Sequence, residues 1–411
     1  MELTARFLCW LEQQPPPFLR RFTHNCLHNL DLSGFPRILD LSAHRSMMLV
    51  CLVMTIGLSV GLPLGPSVRL RGGTTMPTIG LGSSGQCGPD TFGPAGVPCQ
   101  EYNATRSWFA VGGRSVHTAL SYCNQFGVGA AFRDSGLLRE DVFLMSMVPK
   151  FLMGYNETRA SVEASLHQMG LARLDLVMLH HRAADISDWP REVCPMAAFP
   201  DQPTRTTADN QTVALWGAPP CSLIDPTWRL CQDESWRALQ ELRREGTVAA
   251  VGVSNWPVSS LRRMEALGQP LPEVNQVEAH VGWHDDDLIQ YCADRGIVVQ
   301  AATPLARFSP TIVGDLTVTA VAAAQNKSAA QVLLRYLLEI GVAPIPSAHS
   351  ENFQKENLAT LDFKLTPGEV AALGRVVAGC RGEAADGLAK CWADPSTLMC
   401  RHANGSTFHC P

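Results

Sequence analysis

No glycine-rich dinucleotide fingerprint follows any apolar run of this chain, no CxxC pair occurs among its 14 cysteines, and its 411 residues contain no long basic run. The first absence weakens a doubly wound nucleotide-binding sheet as the architecture. The second argues against a zinc site, although His402 and His409 lie close to the tail cysteines. The third, with a formal net charge of −5, argues against a nucleic-acid partner. Charge of either sign is sparse at 17%, against 46% hydrophobic residues, so the chain has apolar material for one large core or two modest ones.

Charge is missing altogether between Arg45 and Arg69, where Met47 to Gly65 read MMLVCLVMTIGLSVGLPLG. A run of that length is enough to cross a bilayer as a helix. Residues 1–46 carry Arg20, Arg21, Arg37 and Arg45 and no lysine, so the positive flank is expected to stay cytoplasmic and the larger C-terminal part to be lumenal or extracellular. A cleaved signal or an organelle-targeting leader remains open for the same span. Cysteine placement agrees with an oxidising compartment. Cys380, Cys391, Cys400 and Cys410 crowd the tail, Cys87 and Cys99 bracket a Gly/Pro loop, and Cys194, Cys221 and Cys231 share another loop, an arrangement that suggests disulfides. Five N-x-S/T sequons, at Asn103, Asn156, Asn210, Asn326 and Asn404, point the same way.

Between residues 69 and 379 short apolar runs alternate with helix-like stretches. The runs are 78–82, 115–120, 142–148, 174–180, 248–254, 274–280, 297–302 and 342–348, and helices are expected at Thr158 to Met169 and Trp236 to Glu245. Parallel strands buried on both faces read as unbroken apolar runs, so the expected class is α/β, a (β/α)8 TIM barrel. The chain is therefore divided into an N-terminal segment (1–46), a transmembrane signal-anchor or signal segment (47–68), the barrel (69–379) and a Cys-rich tail (380–411). Residues 183–232 are too long for a plain connection and are expected to form a lid or binding loop.

Each run ends in polar or unusual residues at a matching place: Gly82 and Ser83, His117 and Thr118, Ser146 and Met147, His180 and His181, Ser254 and Asn255, Gln276, and Thr303. Singly these read as turn or cap residues, but barrel active sites gather their groups from the C-terminal ends of several strands. MPTIGLGSS, GGRSVHTALSY, REDVFLMSM and LDLVMLHH, followed by GVSN at 252–255, NQVE at 275–278, TPL at 303–305, AAQVLLRYLL at 329–338 and EN at 356–357, together resemble the aldo-keto reductase family over about three quarters of the chain.

That resemblance implies hydride transfer between NADP(H) or NAD(H) and a small-molecule carbonyl, without metal, by a protein expected to be monomeric. Tyr122 falls at the position of the general acid and His180 at that of the residue orienting the carbonyl. His117 stands where the family has Asp and Met147 where it has Lys. Ser254, Asn255 and Gln276 match residues that hold the nicotinamide carboxamide; Glu356 and Asn357 match those that meet the adenine. Gly82, Ser83, Thr303 and Leu305 complete the expected cofactor-binding set. The family's activating Lys makes the phenol, with an ordinary pKa near ~10, a better acid, and Met147 cannot do so. Lys150 lies three residues past that position, beyond Pro149. Ser347, Ala348 and Phe353 occupy places where the resemblance calls for groups that grip a 2′-phosphate, and Ala302 replaces an aromatic expected beneath the nicotinamide. Two readings follow: a reductase with an incomplete tetrad, or a barrel kept as a scaffold or small-molecule binder.

Overall fold

The computed structural model describes residues 65–83, 100–181 and 227–376, together with five short strands outside those ranges. A hairpin of β1 (Ser67–Arg69) and β2 (Thr75–Pro77) precedes β3 (Leu81–Gly82), β4 (Ser115–His117), β5 (Phe143–Val148) and β6 (Leu174–Leu179). The small hairpin of β7 (Thr204–Thr206) and β8 (Thr212–Ala214) follows. Then come β9 (Val248–Ser254), β10 (Val274–Glu278), β11 (Val298–Ala302) and β12 (Val342–Pro344).

The eight strands β3–β6 and β9–β12 pair in parallel, in the order β12-β11-β10-β9-β6-β5-β4-β3. The sheet curls until its edges meet. Gly80 N donates to Pro344 O at 3.3 Å and Gly82 N to Pro346 O at 3.0 Å, so the first and last strands are joined in the manner of a (β/α)8 barrel. Gly82 is needed at this seam, because a Cβ there would lie 2.4 Å from Ile345 O. All eight apolar runs contain a strand of this sheet, each at or within the expected bounds.

Both faces of the strands are buried, which is why the runs do not alternate with polar residues. Every residue of β5 and of β6 is buried. Phe143, Met145, Met147, Leu176, Met178, Ala250, Val274, Val298 and Ala343 point inward and form one cluster; Leu144, Val148, Val177 and Val251 point outward against the helices. Leu70 and Met76 of the first hairpin join the inner cluster beside residues that begin strands, so the hairpin plugs the N-terminal end. Methionine, unbranched and polarisable, fills this interior. Gly252 makes room for it: a Cβ there would lie 2.8 Å from Met178 Cγ and 2.7 Å from Val274 O.

The helix expected from Thr158 runs Tyr155–Met169, and the one expected from Trp236 begins earlier and runs Arg229–Arg244. Its polar-looking start is helical because Cys231 and Ser235 are buried against the barrel, where Ser235 Oγ accepts from Gly154 N at 2.7 Å. The end of the 183–232 segment thus belongs to an outer helix. The rest of that expected lid, apart from β7 and β8, lies outside the described residues, as do 1–46 and the apolar run up to Leu64. Gly65 and Pro66 are already tied to the barrel through Thr78 Oγ1 and Thr78 N. Among the described residues no helix is long and apolar enough to cross a membrane. In the tail, β13 (Lys390–Asp394), β14 (Met399–His402) and β15 (Thr407–His409) form an antiparallel sheet.

Candidate active site

The site is built where β4, β6, β9 and β10 end. Beyond β4 the chain turns back through the 3-10 turn Leu120–Tyr122, with Cys123 in the left-handed region at φ 57°. Thr118 Oγ1 donates to Asn124 Oδ1 with both residues fully buried, and Gln125 Nε2 donates to Ser146 Oγ at 2.7 Å. These bonds pin the loop that presents Tyr122. Asn124 was not singled out from the sequence; an isolated Asn after a Cys in a loop carries no distinguishing signal.

Tyr122 Oη lies 3.3 Å from His180 Nε2, and the two rings meet edge to face with centroids 5.5 Å apart. His117 also meets the phenol edge to face, with 6.0 Å between centroids, and His180 stacks on His181 at 4.7 Å. Tyr122, His180 and His117 thus lie together in space. Met147 is buried on β5 in register with Met178, one strand from the histidines.

Burial keeps the imidazoles neutral. Removal from water pushes His117 down to about 4, and the same cause, followed by the charges of His181, His117 and Lys150, holds His180 well below its ordinary value. His117 Nε2 is buried and has no hydrogen-bond partner among the described residues. Lys150, in the turn Lys150–Leu152, is close enough for its charge to act on His180, which its place beyond Pro149 did not suggest.

Ser254, Asn255 and Gln276 come together beside this group. Gln276 is in register with Ser254, and Asn255 N donates to Gln276 O at 2.8 Å. Asn255, at φ 63°, turns its Nδ2 to His180 O at 3.0 Å and to Ser254 Oγ at 3.1 Å. These three residues could hold the carboxamide end of a nicotinamide, since they bring amide and hydroxyl groups together at the strand ends. Gln300, which the sequence reading passed over, is buried beneath them and bonded to Gln276. A lone Gln inside IVVQAA was the available signal.

The remaining expected cofactor residues are scattered more widely. Gly82 lies at the seam, and Ser83 N donates to His117 O at 3.2 Å. Thr303, at φ 48°, starts a strained turn in which Ala306, Arg307 and Phe308 also have positive φ, while Leu305 is buried in the outer core. Glu356 accepts from Ser328 Oγ, and Asn357 is buried on the helix Glu351–Leu358. Phe353 of that helix is exposed and Ala348 is buried, so neither they nor Ser347 bring a cation to the place where the resemblance calls for two.

The model described as the aldo/keto reductase family matches residues 95–378. The chain is 31% identical over 272 residues to the uncharacterized oxidoreductase YtbE of Bacillus subtilis, covering 65% of this chain and 80% of that protein. It is 30% identical to the glyoxal reductase of Bacillus subtilis, covering 73% of this chain and 88% of the relative. Among solved structures, an aldo/keto reductase from Brucella melitensis superposes with a TM-score of 0.58 at 27% identity, over 76% of this chain and 100% of the other.

Proposed function

The chain belongs to the aldo/keto reductase family, and on that premise we propose that it reduces an aldehyde or ketone with a nicotinamide dinucleotide, Tyr122 supplying the proton. The observation that carries the reading is the 3.3 Å approach of Tyr122 Oη to His180 Nε2 at the strand-end mouth, beside Ser254, Asn255 and Gln276. A bound reduced nicotinamide would supply the hydride. Tyr122 Oη gives its proton to the carbonyl oxygen as negative charge builds there, and His180, neutral at physiological pH, orients that oxygen. Asn255 and Gln276 hold the carboxamide.

Met147 provides no ammonium, and His117 is too deeply buried to provide a cation in its stead. The proposal is therefore a slow reductase, since an acid–base group of this kind is worth ~10²–10⁴ in rate. Ser347 and Phe353 in place of cations support weak NADPH binding or a shift toward NADH. The scaffold alternative is not favoured by relatives whose names are those of oxidoreductases and reductases. Glyoxal, from the name of one relative, is a reasonable first substrate to assay.

For the compartment, the proposal is a membrane-anchored or secretory chain with its barrel in an oxidising lumen. Its support is the uncharged run before Arg69, the exposure of Asn103, Asn156 and Asn326 in their sequons, and the engagement of Cys123 and Cys231 in disulfides.

The deciding experiment is binding of NADPH and of NADH to the full chain, read by nicotinamide fluorescence and by thermal shift. Saturable binding of either with a rise in Tm is the expected result. No stabilisation by either at millimolar concentration would remove the enzyme reading.

A further inference from the structure

Three side chains form a line of hydrogen bonds through the interior of the barrel. Gln300 Nε2 donates to Met145 Sδ at 3.6 Å, and Gln276 Nε2 donates to Gln300 Oε1 at 2.7 Å. All three residues are buried: Met145 is 0% exposed, Gln300 1% and Gln276 3%. They are brought together by register and alternation, Gln276 lying opposite Gln300 on neighbouring strands and Met145 facing them across the interior from β5.

The two ends of a carboxamide have nearly the same shape, so hydrogen-bond partners decide which end points where. A thioether sulfur has no proton to give and only accepts. The end of Gln300 that faces Met145 must therefore be its NH2, which directs the Gln300 carbonyl at Gln276. Gln276 must answer with its own NH2, and its carbonyl oxygen is the group left for the cleft. The same logic applies to Asn255, whose Nδ2 is drawn to the carbonyl of His180, an acceptor only, leaving Oδ1.

We propose that Met145 and Gln300 are positioning residues that fix the polarity of the Gln276 amide, so that the strand-end mouth presents oxygen and selects a ligand bearing an N–H donor at that point. This rests on the nicotinamide-dependent reading above, in which the donor is the carboxamide NH2 of the cofactor. Neither residue touches the ligand. Their effect is to forbid the flipped amide, which would instead offer an N–H.

The test compares the affinity of the full chain for NADPH and NADH with that for their 3-acetylpyridine analogues, in which a methyl group replaces the amide nitrogen. The natural chain is expected to prefer the carboxamide form about tenfold, the worth of one well-placed hydrogen bond. Met145→Leu conserves volume but removes the acceptor, and Gln300→Leu removes the relay; in both, the preference is expected to fall to about twofold as Gln276 becomes free to flip. Gln300→Glu, whose carboxyl oxygen still accepts from Gln276, should restore it even if another variant folds poorly. An unchanged preference in Met145→Leu overturns the proposal while leaving the reductase reading intact. Absence of binding by every nucleotide to the natural chain overturns both.

Discussion

Tyr122 Oη and His180 Nε2, 58 residues apart in the chain, are 3.3 Å apart at the mouth of the barrel. The turn after β4 delivers one and the end of β6 the other, so their meeting depends on the intervening strand β5 being paired with both. If this contact is the reacting pair, Tyr122→Phe should lower carbonyl reduction by ~10²–10⁴-fold while leaving nucleotide affinity within about twofold. Steady-state kinetics beside a fluorescence titration would check it, and unchanged turnover would remove Tyr122 as the acid.

Installing a lysine alone at position 147 should fail. Met147 is 1% exposed among methionines, and an ammonium there has no carboxylate while residue 117 is a neutral histidine. Met147→Lys alone is expected to cost about 3 kcal/mol or more in urea unfolding. The double variant His117→Asp with Met147→Lys should recover at least half of that loss and raise kcat above that of the natural chain. Additive losses in the double variant would show that the two positions do not pair.

Acid should destabilise the barrel through His117. Its folded value, about 4, lies below the unfolded value near 6.5, so the unfolded chain binds the extra proton between these two pH values. Stability from this group is complete above about pH 6.5 and is lost as pH falls toward 4, on the order of 3 kcal/mol in all. His180 adds in the same direction. Unfolding free energies measured between pH 4.5 and 7.5 should rise with pH, and His117→Asn should flatten the slope by close to one proton. An identical slope in the variant would refute the assignment.

An outer helix carries a buried ion pair. Arg335 Nε donates to Glu339 Oε1 at 2.8 Å, the two side chains only 4% and 7% exposed, and Leu365 N donates to the same oxygen at 3.1 Å. Glu339→Ala leaves a buried guanidinium and an orphaned amide, and is expected to cost about 3–5 kcal/mol. Arg335→Met with Glu339→Leu should cost far less, because both charges leave together. Chemical denaturation of the three chains distinguishes these outcomes; equal losses would mean the pair is not coupled.

Strand positions were legible because burial on both faces leaves a continuous apolar run, as in VFLMSMV and LDLVML. His180 was legible as the polar end of such a run, and Tyr122 only through the resemblance of GGRSVHTALSY to the family. Helix starts were less so: Arg229 to Ser235 is too polar for a periodicity argument and is helical because Cys231 is buried and Ser235 Oγ accepts from Gly154 N. The EN motif gave no hint of the contact Glu356 makes within the fold, where its carboxylate accepts from Ser328 Oγ, 28 residues away. The reach of Lys150 to His180 was invisible for a similar reason: spacing along a strand says nothing about a turn that folds back.

By itself the sequence determined the alternation of buried strands and outer helices and the resemblance to the family, in which His117 and Met147 stand where an Asp and a Lys are expected, because each is a matter of residue type at a local spacing. Only the tertiary structure decided that His117 is too buried to act as a cation and that Met145, Gln300 and Gln276 share one line of hydrogen bonds. Charge state and amide polarity depend on what lies across the barrel, and the curling of the sheet brings together residues as far apart as Met145 and Gln300, 155 positions distant.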